Sequence, residues 1–286
     1  MRLHAIFPQT EIGTDPAVIA RFIRDVEAMG FDGLVAYDHV LGADPARPGW
    51  SGPYTIESQF HEVMVLFSFA AAITTRLELS TGVLILPQRQ TALVAKQAAA
   101  LDVLSGGRLR LGVGVGWNWV EFASLGMSFK DRGKRIEEQI ALLRRLWTEP
   151  SVTLEGAWHH VDRAGINPLP VQRPIPLWMG ADSEVAIKRV ARVGDGLFAH
   201  FAPTDEGSAQ AAAFWEWVKA AGRDTADVGL ECRFGAKMRD DEIARAAERY
   251  RAMRATDFEC NTMRAGFTSP DEHLAAYRRF IERVRA

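Results

Sequence analysis

The chain of 286 residues has only two cysteines, Cys232 and Cys260. That is too few for a disulfide framework and fits a pair of buried thiols. Neither sign of charge dominates: 34 Lys and Arg stand against 36 Asp and Glu, for a formal net charge of −2. There is no basic run and no interleaving of aromatic with basic residues, so the balance points neither to nucleic acid nor to an anionic membrane. Long apolar runs are missing too. The longest, Val63 to Ile73, is broken by Ser68 and is too short to span a bilayer. The N-terminal stretch Met1–Phe7 is apolar but too short for a secretory signal. Metal-ligand spacing is also absent. His4 has no His-x-His partner, and the adjacent His159 and His160 would face opposite sides of a strand. No Ser, Cys or Lys stands in a nucleophile setting. These absences lead to the expectation of a cytoplasmic globular protein with a small-molecule substrate, no nucleic-acid partner and no membrane.

What is present is a regular alternation. Strand-like runs fall at Leu3–Phe7, Gly33–Tyr37, Leu79–Leu84, Leu109–Val115, Pro176–Met179, Gly196–His200, Val228–Phe234 and Asp257–Met263. Each is followed by a helical pattern: Pro16–Met29, Ser58–Thr74, Leu93–Leu104, Arg132–Trp147, Ser183–Val193, Glu206–Ala221, Asp241–Arg254 and Asp271–Arg285. Eight strand–helix units in series are what an α/β (β/α)8 barrel requires, and 48% hydrophobic residues can fill its core. Arg233 and Asn261 interrupt the last two strand patterns. The boundaries carry the right chemistry: Asp15-Pro16 opens a helix and Gly30 closes it, and Ser269-Pro270 opens the last one. The chain reads as one domain over residues 1–286 with insertions at about 42–57, 117–131 and 148–175. The first two insertions follow strands, at the face where barrel active sites are built. The third carries a hairpin pattern over Thr153–Val161.

Within the fourth strand the sequence runs Arg108-Leu109-Arg110-Leu111-Gly112-Val113-Gly114-Val115-Gly116-Trp117-Asn118. Strand side chains alternate, so the three glycines share one face. Each costs about 0.5–1 kcal/mol relative to alanine. Two readings account for the loss: a flat cofactor lying across the bare face, or a bulge or a tight barrel corner.

Other constellations sit at the same rim. Asp38-His39 follows the second strand. An imidazole exchanges protons near neutral pH, and the neighbouring carboxylate could hold it or orient a cofactor; the plainer reading is a capping Asp beside a surface His. Gly82, inside an otherwise leucine-rich and β-branched strand, suggests a bulge or relief of crowding. Gly180-Ala181-Asp182-Ser183 opens a helix whose free N–H groups could hold a phosphate, or whose Asp182 or Ser183 simply caps it. Trp50, Trp117 and Trp119 lie in rim loops and could shape an apolar pocket. His61 and His273 read as helix-surface residues, and His200 as a rim residue.

With these residues in view, the chain resembles the luciferase-like monooxygenase superfamily. The resemblance rests on Asp38-His39, on Gly106 through Asn118 with Glu121 following, and on Pro176–Gly180 through Gly194-Asp195-Gly196. The middle block is most similar to the branch that uses the deazaflavin coenzyme F420. The resemblance implies a hydride passing between a ring held in the barrel mouth and an organic substrate. It implies Asp38 as a ring contact and His39 as the catalytic proton-transfer residue. Gly82 and Val83 would form a bulge, often with a cis peptide, behind the ring. Val115, Gly116 and Asn118 would contact the cofactor, as would Gly180, Ala181, Asp182 and Ser183, with Trp50 and Trp117 lining the substrate side. Two departures stand out. Related sugar-phosphate dehydrogenases carry a glutamate where this chain has Trp117, and a glycine is commoner at Ala181. The expectation is therefore an F420-dependent oxidoreductase, forming a homodimer, acting on a small apolar or carbonyl-bearing metabolite. The alternatives are an FMN-dependent monooxygenase served by a separate flavin or F420 reductase, and a flavin- or deazaflavin-binding protein without catalysis.

Overall fold

The computed structural model describes residues 1–286. Its strands are β1 Arg2–Ile6, β2 Gly33–Ala36, β3 Glu78–Thr81, β4 Leu84–Ile85, β5 Leu109–Gly114, β6 Val152–Glu155, β7 His160–Ala164, β8 Leu177–Gly180, β9 Gly196–Ala199, β10 Gly229–Gly235 and β11 Asp257–Asn261. The helices are α1 Pro16–Ala28, α2 Val63–Ile73, α3 Thr91–Ser105, α4 Trp119–Ser124, α5 Arg132–Thr148, α6 Glu184–Val193, α7 Asp205–Ala220, α8 Asp240–Ala252 and α9 Pro270–Arg285. The main sheet runs β3-β2-β1-β11-β10-β9-β8-β5-β4, and a further β3–β5 pairing closes it. All its pairings are parallel. Since β3 and β4 together occupy one barrel position, this is a (β/α)8 barrel.

Local chemistry sets the boundaries. Asp15 caps α1 by accepting from the Ala17 N–H at 2.8 Å, and Gly30 follows the helix with φ +87. The β6–β7 hairpin docks through His159. Its Nδ1 pairs with Glu138 at 2.7 Å, and its Nε2 lies 2.7 Å from the Thr91 hydroxyl.

Several expectations are corrected. The second helix starts at Val63, not Ser58, because His61 N–H is held by the Gln9 side chain and Glu62 caps the helix through Val65 N–H. The insertion after β5 contains a short helix, α4. β10 runs straight through Arg233, because a polar side chain is accommodated toward the barrel mouth, whereas β11 ends at Asn261 rather than continuing to Met263. His273 is buried and bonded to the Thr262 hydroxyl at 2.8 Å, and His61 precedes a helix rather than lying on one.

The N-terminal half of the barrel interior is filled by charge. Arg110, only 1% exposed, donates through Nη2 to Glu231 at 2.7 Å and through Nη1 to Asp257 at 3.2 Å, and its Nε pairs with Glu78 at 3.0 Å. His4 Nδ1 lies 2.7 Å from Glu231. His4, Glu231 and Asp257 converge closely enough to hold a cation, and the Arg110 guanidinium is bonded to all three. Above it, Trp178 fills the space over Gly196 and Gly229, and Arg110 stacks on the Trp178 ring at 4.2 Å.

Candidate functional site

The glycines of β5 open space for the protein itself. A Cβ on Gly112 would lie 1.9 Å from the Thr81 carbonyl oxygen and 2.6 Å from Phe198. One on Gly114 would lie 2.5 Å from Val83 Cγ2, and one on Gly116 2.6 Å from Ile85 Cγ2. Each of the three glycines is therefore required by a close approach of the protein's own atoms. The chain between β3 and β4 is pressed inward at Gly82-Val83, whose peptide is cis. Val83 lies over Gly114 and also beside Gly180, where a Cβ would be 3.2 Å from Val83 Cγ1. Gly114 seats Val83, Val83 forms a floor, and Gly114 and Gly116 line the cavity beside it.

Above that floor is a cavity of about 410 Å³ at the C-terminal mouth of the barrel. Its size and its largely apolar walls with a few polar groups are those of a small-molecule or cofactor site. Most of the residues singled out from sequence line it: Asp38, His39, Gly82, Val83, Val115, Gly116, Trp117 and the run Gly180–Ser183. Asn118 and Trp50 do not. The Asn118 amide caps α4 by accepting from Glu121 N–H at 3.2 Å and donates to the Leu41 carbonyl. Trp50 packs against Trp117 in a tilted pair, ring centroids 5.6 Å apart.

Asp38 is 2% exposed and engaged in structure. It accepts from Arg89 Nη2 at 2.7 Å and from Ile85 N–H at 3.1 Å, tying the end of β2 to the segment after the bulge. Burial pushes its pKa above the ordinary aspartate value, although Arg89 pulls the other way.

The imidazole of His39 is not held by the adjacent Asp38. Its partner is Glu121 of α4, which is 1% exposed and lies 3.3 Å from Nδ1. Glu121 also accepts from the N–H groups of Val40 and Leu41 and from Gln88 Nε2 at 3.1 Å. Burial opposes ionisation of Glu121, but the His39 and Leu41 hydrogen bonds outweigh it and lower its pKa. Tyr54, Phe60 and Trp117 wall the ring, with centroids 5.2, 4.9 and 5.4 Å away. With Nδ1–H donating to a carboxylate, Nε2 is left without a protein partner on a residue that lines the cavity. A group held this way can give or take a proton at one defined atom. Glu121 is the functional residue that sequence reasoning did not assign. The one available signal was its position just after the glycine block.

At the opposite rim, Ser183 caps α6 through Ala186 N–H at 3.4 Å, and Asp182 accepts from His200 Nδ1 at 2.5 Å. The loop thus presents Gly180 and Ala181 to the cavity beside the Asp182–His200 hydrogen bond.

The family profile described as luciferase-like monooxygenase matches residues 3–286. The chain belongs to that family. Among its relatives, an uncharacterized protein of Mycobacterium tuberculosis is 35% identical over 195 residues, covering 65% of this chain and 66% of that protein. An F420-dependent glucose-6-phosphate dehydrogenase of Kineococcus radiotolerans is 31% identical over 185 residues, covering 63% of this chain and 51% of the enzyme. The matches therefore span just under two-thirds of the first of these relatives and about half of the second. Two solved structures share the fold over all of this luciferase-like chain. An F420-dependent secondary alcohol dehydrogenase bound to an F420–acetone adduct has a TM-score of 0.79 at 17% identity, covering 99% of that chain. The monooxygenase RslO1 from Streptomyces bottropensis has a TM-score of 0.77 at 19% identity, also covering 99%. The relatives of this chain include F420-dependent dehydrogenases, and no helix of this one is long and apolar enough to cross a membrane.

Proposed function

We propose that this luciferase-like protein is an F420-dependent oxidoreductase acting on a small organic substrate with an apolar body. The observation that carries the reading is the flat-floored cavity, with Val83 beneath it and a single carboxylate-held imidazole at its edge. The fit favours a planar ring: the floor is one valine and a peptide seated on glycines, and the neighbouring walls are Gly116, Gly180 and Ala181. The similarity to F420-dependent dehydrogenases of known name supports the deazaflavin over FMN.

When bound, the deazaflavin would supply a hydride donor or acceptor at its ring. The protein's residues do the rest. Val83 and the Gly82 peptide would support the ring's back face, and the 180–183 loop would hold the cofactor chain. Asp38 would line the ring site while its carboxylate holds Ile85 and Arg89. His39 Nε2 would be the atom that gives or takes a proton, with Glu121 fixing the tautomer. Trp117 fills the wall where sugar-phosphate dehydrogenases of similar sequence carry a glutamate, which favours an apolar substrate surface over a sugar.

A cytoplasmic location and a homodimer belong to the same proposal. Val65 at 69% and Phe69 at 38% exposure leave the outer face of α2 apolar, which supports self-association. Light scattering of the purified chain tests it, with a monomer as the contrary result. The activity test is a cofactor-coupled screen over alcohols, enones and imines. Turnover with F420 that is lost in His39→Asn supports the reading. Turnover only with reduced FMN and oxygen replaces it with the monooxygenase alternative, and binding without any turnover replaces it with a non-catalytic carrier.

A further inference from the structure

We infer that Arg233 is an oxyanion receptor on the substrate side of the cavity, so that the substrate is an apolar organic acid. The inference rests on the reading of the cavity as a cofactor-and-substrate site.

The arginines of the barrel differ in what they leave free. All three nitrogens of Arg110 are committed to partners within the protein. Arg89 uses both Nη atoms, on Glu62 and Asp38. Arg233 uses only Nε, which donates to Glu259 at 2.5 Å. Its two Nη atoms donate no hydrogen bond within the protein, yet they are not among the buried unpartnered atoms. Arg233 lines the cavity with its side chain 29% exposed, and its guanidinium lies 5.6 Å from the centre of the Tyr37 ring. The free edge of the guanidinium is therefore open to the cavity. That edge presents two parallel donors, the geometry that recognises a carboxylate or phosphate.

Topology assigns the side. Going one way round the barrel from the bulge, the order is β3, β2, β1, β11, β10; going the other way it is β4, β5, β8, β9, β10. Either way β10 is four positions off in a barrel of eight, diametrically across from Val83. A flat ring backed on Val83 turns its other face toward β10, and the reacting substrate enters on that face. His200, the other nitrogen-bearing side chain of this wall, already has its Nδ1 on Asp182. The oxyanion could belong to a substrate carboxylate or phosphate, or to the cofactor's own tail; the position across from the floor favours the substrate.

The test measures binding rather than turnover. Benzoate and inorganic phosphate are titrated by calorimetry into the wild type, Arg233→Gln, Arg233→Lys and the double variant Arg233→Gln/Glu259→Gln. F420 is titrated in parallel. The double variant removes the buried Glu259 charge along with its partner, so it stays informative if the single variant unfolds. The expected result is benzoate binding weakened about tenfold or more in Arg233→Gln and in the double variant. Lysine should be intermediate, and F420 affinity should change less than twofold. Phosphate binding that weakens in place of benzoate keeps the receptor but makes the substrate a phosphate ester. Loss of F420 affinity with no change for either free anion assigns the edge to the cofactor and overturns the proposal. So does anion binding that is equal in all four proteins. Arg233-dependent benzoate binding in a wild type that takes up no F420 would sustain the receptor while refuting the cofactor reading.

Discussion

The two ends of the barrel are both rich in ionisable side chains, and they do opposite things with them. At the N-terminal end one guanidinium, Arg110, is enclosed by His4 and the three carboxylates Glu231, Asp257 and Glu78, and each of its nitrogens is bonded within the protein. At the mouth, His39 and Arg233 are each held by one buried carboxylate and each keeps an unmatched polar edge toward the cavity. Buried charge by itself therefore does not mark a site in this protein. Unused hydrogen-bonding capacity facing a cavity does. The first cluster holds together β1, β3, β5, β10 and β11, and the second leaves two groups available to a ligand.

The comparison can be broken most directly at Arg110. Arg110→Met strands Glu231 and Asp257 in the interior, and loss of about 3–5 kcal/mol of stability is expected in denaturant unfolding. The double variant Arg110→Met/Glu231→Gln should regain part of that. If Arg110→Met is as stable as the wild type, the lower cluster is not the closed network described.

At the mouth the expected losses are of rate rather than stability. His39→Asn should keep cofactor affinity within about twofold and lower turnover by roughly 10²–10⁴-fold. An equal loss of binding would make His39 a ligand rather than a proton carrier. Glu121→Gln should keep an acceptor for the Val40 and Leu41 N–H groups while removing the negative charge beside Nδ1. Turnover should fall by on the order of tenfold. Turnover unchanged in Glu121→Gln would show that Glu121 only ties down the loop.

The lower cluster should also show itself in acid. Burial pushes the Glu231 pKa up, but Arg110 and His4 hold it down to about 2, against an ordinary 4.5. A depressed folded value means stability that is complete above pH ~4.5 and is lost as the pH falls toward 2. Unfolding titrations of wild type and Glu231→Gln should converge over that interval, and parallel curves would contradict the assignment.

Much of this was legible in the sequence. The eight strand–helix units, the hairpin and the rim position of Asp38, His39, Gly82 and Gly180 follow from period, caps and glycine placement. What was not legible depends on distance along the chain. Glu121 lies 82 residues from the imidazole it holds, and no local pattern announces that pairing. The valine that packs on Gly114 comes from the turn between β3 and β4, some thirty residues earlier in the chain. Arg233 looked like an interruption of a strand because, in a barrel, a polar inward residue near the mouth breaks the apolar pattern while staying in register.

The account depends on the mouth above Val83 accepting a flat tricyclic ring, and titration of the purified chain with F420, followed by the coenzyme's absorbance beside a parallel FMN series, tests this most directly. Saturation at one F420 per chain, with FMN weaker, is the predicted result. No saturation with either ring would contradict it.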